Sequence, residues 1–154
     1  MNAVRNSVIA TVLIITGYSG TAMAEEPTVV VEEAWSRASI GMKRPGAAYM
    51  KIRNLGEDTE ILTGLRTDLA MMPEIHVTST NDQGVSSMAP AGDIEIAPGQ
   101  VVALEPGGFH VMLMRLSRPM LKGETFSLTL DFSDGDEVTV DVPILGFAAR
   151  GPEG

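Results

Sequence analysis

The side chains able to do chemistry in this chain are few and of unusual kinds: two histidines, His76 and His110, ten methionines and no cysteine. Eight of the methionines lie beyond residue 24: Met42, Met50, Met71, Met72, Met88, Met112, Met114 and Met120. No Gly-x-Ser-x-Gly elbow presents a nucleophile, and neither histidine stands in a His-Glu-x-x-His segment. No phosphate-cradling glycine loop occurs either, and Gly107-Gly108 alone reads as a turn. Hydrolytic and nucleotide chemistry therefore lack their residues. What is left is donor chemistry, with neutral imidazole nitrogen and thioether sulfur.

The stretch Pro106-Gly107-Gly108-Phe109-His110-Val111-Met112-Leu113-Met114 concentrates those donors. Behind the Pro-Gly-Gly turn the residues alternate at period two, so Phe109, Val111 and Leu113 fall on one face of a strand and His110, Met112 and Met114 on the other. A core face gains nothing from a histidine. Residues two apart in a strand project to the same side about 7 Å from each other, within reach of one ion for His110 and Met112. Met88 sits in a polar segment, Gly84-Val85-Ser86-Ser87-Met88-Ala89-Pro90, with no evident core to fill. His76 and His110 lie on short strand-like segments either side of it. If those segments converge, two imidazoles and two thioethers meet. Such a set selects a soft monovalent ion, which among biological metals means Cu(I). Zinc would ask for thiolates, imidazoles or carboxylates, and calcium or magnesium for oxygen clusters. Thioethers also suit an oxidising compartment, where thiolates pair into disulfides. Two unrelated histidines on polar faces are the plainer alternative. Met50, beside Tyr49 and Ile52, reads as core filler, Met42 and Met120 as incidental loop residues, and Met71 and Met72 as core or site margin.

For the donors to meet, short strands must hold them. β-branched or alternating runs predict strands over residues 28–35, 47–53, 59–65, 74–78, 94–96, 101–104, 109–116, 124–132 and 137–144. The last two flank Ser133-Asp134-Gly135-Asp136, a hairpin signal. Residues 79–92 read as a polar loop around an isolated apolar patch at Val85 and Met88. Outside the N-terminus no segment longer than about ten residues keeps a helical period. Strands so short, with evenly spaced turns, predict an all-β fold, an antiparallel sandwich of Greek-key type. Residues 25–154 read as one domain whose tail frays from about residue 145. Trp35 is expected to anchor the sandwich core and Arg37 to pair with a carboxylate.

Residues 1–24 carry one basic residue, Arg5, an apolar run over 8–15 and then Ala22-Met23-Ala24, the pattern of a secretory signal cleaved after Ala24. The run is shorter than the roughly 20 residues a membrane span needs, and no later segment approaches that length. The chain is therefore expected to be exported and, lacking cysteine, to carry neither disulfides nor a lipid-modified cysteine anchor. Eleven basic and twenty acidic residues give a formal charge of −9, which becomes −10 when Arg5 leaves with the signal. That balance argues against nucleic acid and anionic membrane surfaces as partners.

His76, Met88 twelve residues on, His110 twenty-two beyond that and then Met112 reproduce the spacing His-(Met)-x10-Met-x21-His-x-Met. Around it stand Ala34-Trp35-Ser36-Arg37-Ala38, the run from Ala47 to Asn54, and the Pro106 to Met114 stretch. In these the chain resembles the periplasmic copper chaperones called PCuAC, over roughly residues 31–143. The resemblance implies a cupredoxin-like β-sandwich that binds one Cu(I) at a solvent-facing site through His76, Met88, His110 and Met112. It implies a periplasmic carrier rather than an enzyme, acting in copper homeostasis and passing copper to subunit II of cytochrome c oxidase, often alongside a Sco-type copper protein. Two departures stand out. Val77 follows the first histidine where many members have methionine, and the tail has neither histidine nor methionine with which to build a second copper site. The alternative is a metal-free exported β-sandwich whose His/Met cluster is a partner surface.

Intact-mass analysis of the protein recovered from the periplasm of an expressing bacterium checks the export signal. A chain beginning at Glu25 is expected, and retention of residues 1–24 would count against the signal.

Overall fold

The computed structural model describes residues 26–154, so the expected signal segment lies outside the described residues. Ten strands and no helix make up the described chain: β1 (Val29–Arg37), β2 (Gly46–Asn54), β3 (Glu60–Arg66), β4 (Ala70–Thr80), β5 (Ser86–Pro90), β6 (Ile94–Ile96), β7 (Val101–Leu104), β8 (Phe109–Leu116), β9 (Thr125–Phe132) and β10 (Glu137–Leu145). Their hydrogen-bonded order is β5-β4-β8-β7-β2-β1-β10-β9-β3-β6. Pairing is antiparallel except for a single β7–β8 residue pair and the junction of β1 with β10, where Ser36 meets Ile144 and Arg37 meets Leu145. The mixed sheet folds over at that junction. Ile52, Val111 and Leu113 from one half and Leu62, Leu128 and Leu130 from the other bury into a common core. The architecture is the all-β, cupredoxin-like sandwich expected.

Every predicted strand is present, with ends shifted by at most four residues. The tenth, β5, lies where a polar loop was expected. All five of its residues are exposed, so it carries no buried face to produce an alternating pattern. Its backbone bonds to β4 hold it, after a turn in which Asn81 Oδ1 accepts from the backbone N–H groups of Gln83 and Val85. Pro73 is tolerated within β4 because β5 pairs only with residues from His76 onward. At Pro73 the strand has β8 on one side and no ladder partner to lose on the other.

β8 splits its faces as the alternation predicts. Val111 and Leu113 are fully buried in the core, while His110, Met112 and Met114 line the outer face. Arg115, with φ of 53°, ends the alternation: past this left-handed residue Leu116, opposite Ala70 in unbroken register, turns back into the core. Glu33, with φ of 51°, is likewise left-handed in β1, but there the register against β2 shifts between Glu32 and Trp35. The shift corrects two expectations. Trp35 is buried, but in a separate outer cluster with Tyr49 and Ala149, its ring centroid 4.5 Å from that of Tyr49. Among the described residues Arg37 pairs with no carboxylate: its guanidinium lies 5.6 Å from the Trp35 ring and 5.4 Å from the Tyr49 ring, and its Nε donates to the Ala149 carbonyl at 2.7 Å. Ala149, beyond the end of β10, is thereby held against β1. Burial raises the Tyr49 pKa, and the neighbouring Arg37 partly offsets this. Met50 is core filler as read, but so is Met120, whose sulfur fills the space a side chain at Gly46 would need.

The division of β8 into a packed and an open face is tested by denaturant unfolding of two neighbouring truncations. Leu113→Ala should cost about 2–5 kcal/mol, because its cavity is enclosed. Met114→Ala should cost under about 1 kcal/mol. Equal costs would show that the faces are not divided in this way.

Candidate metal centre

β4 and β8 lie side by side with His76 opposite His110, Glu74 opposite Met112 and Met72 opposite Met114. β5 adds Met88 opposite Thr78 and Pro90 opposite His76. Directly opposed residues of an antiparallel pair share a face, and so do residues two apart. His76, Met88, His110 and Met112, from three strands, therefore all stand on the outer face of this half of the sheet. The two imidazole centroids are 6.2 Å apart, their planes inclined at 46°.

The donors are not equally exposed. His76 and His110 retain only 8% and 5% of their surface, whereas Met88 is 58% exposed and Met112 is half-buried. A uniformly solvent-facing set was expected. Instead the imidazoles form a floor between the strands, and the thioethers stand toward the rim. The reason is positional: both histidines sit on interior strands with a neighbour on each side, while Met88 sits on the edge strand.

Each histidine has one ring nitrogen held and one bare. His76 Nε2 lies 3.3 Å from Glu74 Oε2, and His110 Nδ1 lies 3.3 Å from the Gly108 carbonyl oxygen. A carboxylate and a carbonyl only accept, so in each pair the ring N–H donates. That selects the tautomer and leaves a lone pair on His76 Nδ1 and on His110 Nε2. These two atoms are the buried side-chain polar atoms without a hydrogen-bond partner among the described residues. Two imidazoles 6.2 Å apart are also suitably spaced for one ion between them, with metal–nitrogen bonds of about 2 Å. The residues present thus fit a metal ion with nitrogen and sulfur donors. Among the described residues no group of three or more His, Cys, Asp or Glu side chains converges, so the donors that could complete the set are thioethers. A cleft of about 310 Å³ opens between β3 and β4, lined in part by Leu62, Leu65, Pro73 and Ile75, and none of the four candidate donors lines it.

Sequence reasoning assigned no part to Glu74. The signal was there, since a residue two before His76 on a strand shares its face, and a carboxylate in that place can take the ring N–H. The Gly108 carbonyl had no comparable signature, because its direction depends on the turn.

The LpqE-like family model, described as that of a lipoprotein, matches residues 29–144. The protein Lxx21020 of Leifsonia xyli subsp. xyli, whose name also carries the word lipoprotein, is 35% identical over 121 residues, covering 78% of this chain and 71% of that protein. Among solved structures, the apo PCuAC domain of PmoF2 superposes with a TM-score of 0.65 at 24% identity, over 81% of this chain and 95% of that one. The Cu(I) form of DR1885 from Deinococcus radiodurans superposes with a TM-score of 0.59 at 32% identity, over 80% of this chain and 81% of that one. With the family model covering most of the described residues and the PCuAC domains sharing its fold, the chain belongs to the LpqE-like family.

Proposed function

We propose that this protein is an exported carrier of Cu(I), holding one ion through His76 Nδ1, His110 Nε2 and the sulfurs of Met88 and Met112. The observation that carries the reading is the pair of buried, directly opposed imidazoles, each with one nitrogen oriented by a partner and the other bare. The Cu(I) form of DR1885 and the copper-bound PCuAC domain of PmoF2 support copper as the cargo. Two neutral nitrogens and two neutral sulfurs leave the complex with a charge of +1, and soft donors favour the monovalent state. Zinc would gain little here, since no thiolate or carboxylate completes the set.

Release proceeds by ligand exchange. The incoming donors of an acceptor attack the ion from the open rim, and Met88 and then Met112 depart, while the histidines stay in place because the strands that carry them are interior. No proton need move, because thioethers carry none and each imidazole already holds its single proton on the far nitrogen. The acceptor we favour is the copper centre of cytochrome c oxidase subunit II, reached in the bacterial periplasm together with a Sco-type protein. The family's lipoprotein name supports export.

Competition for Cu(I) against a coloured chelator, under reducing conditions, tests the site. Wild type should take up one tightly held equivalent. His76→Ala/His110→Ala should lose it, and because those rings are buried, Met88→Leu/Met112→Leu, which nearly conserves volume, serves as the matched variant and should lose tight binding as well. No competition by wild type would sink the reading in favour of a metal-free partner surface.

Glu74→Ala removes the group that orients His76 without touching the ion. By the usual effect of such outer partners it should weaken Cu(I) binding about 10- to 100-fold. An unchanged dissociation constant in the same titration would show that Glu74 does not orient His76.

A further inference from the structure

The outer face does not end at Met112. One residue pair further along, Met72 of β4 and Met114 of β8 stand directly opposite each other, on the side that carries His76, His110 and Met112. Neither fills the core. Met72 is 38% exposed and Met114 half-buried, while the burying residues at this level are Leu113 and, beyond the turn at Arg115, Leu116. Nor does β2 cover Met114, since its pairing with β8 stops at Gly46 and Leu113. Outward-facing cross-strand pairs are ordinarily polar or β-branched, and two opposed thioethers at such a place stand outside the hydrophobic core. Opposed side chains have their Cβ atoms about 4.5–5.5 Å apart, and methionine's flexible chain lets two sulfurs close on an ion between them.

We propose that Met72 and Met114 form a second, weaker site for a soft monovalent cation, coordinated by two thioethers at the end of the outer face. The inference rests on the reading of the His/Met site as a Cu(I) site and adds a staging point to it. Met112 and Met114 are two residues apart on β8, about 7 Å along the strand, so an ion still attached to Met112 finds its next donor on the same strand. The handover exchanges neutral ligands for neutral ligands: the metal–nitrogen and metal–sulfur bonds of the first site break, two metal–sulfur bonds form, and charge and oxidation state are conserved. At Met72 and Met114 the ion lies away from the buried imidazoles, which gives an acceptor a second route beside direct attack at the rim.

Ag(I), a soft monovalent probe that does not change oxidation state, reads both sites in protein labelled with ¹³C at the methionine methyls. On titration the Met88 and Met112 methyls should shift with the first equivalent and the Met72 and Met114 methyls with a second. Met72→Leu/Met114→Leu nearly conserves volume and should keep the first equivalent and lose the second. Shifts at Met88 and Met112 with Met72 and Met114 unmoved would overturn the second site and leave the first standing. Two equivalents still bound by the double variant would also overturn it. No methyl shift anywhere in wild type would overturn the first site and, with it, this one.

Discussion

The outer face depends on the register between β4 and β8. Side-chain direction in a strand has a period of two, so a slip of one residue would turn every donor on β4 away from those on β8. His76 meets His110 only because Ile75, Val111 and Leu113, on the inward side of the same two strands, are committed to the core. The apolar packing behind the sheet is therefore what holds the two ring nitrogens at a fixed separation. Without that packing the histidines would be isolated residues on two flexible segments.

Much of this could be read from the residues. The alternation over residues 109–114 announced both the strand and its divided faces, and the turn residues marked most strand ends. What could not be read depends on neighbours that leave no local trace. β5 is a strand only because β4 supplies its partners, so a segment of exposed serines, alanine and proline carried no period of its own. The burial of His76 and His110 follows from their positions in the strand order, which residue types do not encode. Trp35 was misplaced for a related reason: the left-handed turn at Glu33 inserts a bulge, and an acidic residue in the middle of a β-rich run gives no warning of positive φ.

The two left-handed residues frame the outer face. Glu33 aims Trp35 outward to join Tyr49 and Arg37, and Arg115 closes the line of outward residues after Met114. Non-glycine residues rarely adopt this conformation, and each costs on the order of 1 kcal/mol, so the core on either side must over-determine them. Between these limits the outward positions of β4 and β8 alternate polar, imidazole and thioether groups. Beyond Arg115 the chain returns to ordinary hydrocarbon packing.

β5 is joined to the sheet along one side only and buries none of its residues. Such a segment opens at a small fraction of the free energy that unfolds the core, and its amides exchange with solvent long before those of β8 do. Met88 rides on that segment, whereas Met112 lies in the part of β8 paired with both β4 and β2, and His76 lies where β4 is paired with both β5 and β8, directly opposite His110. Local opening at the sheet margin can thus swing one candidate donor away while the other three hold their places and the core behind them stays closed.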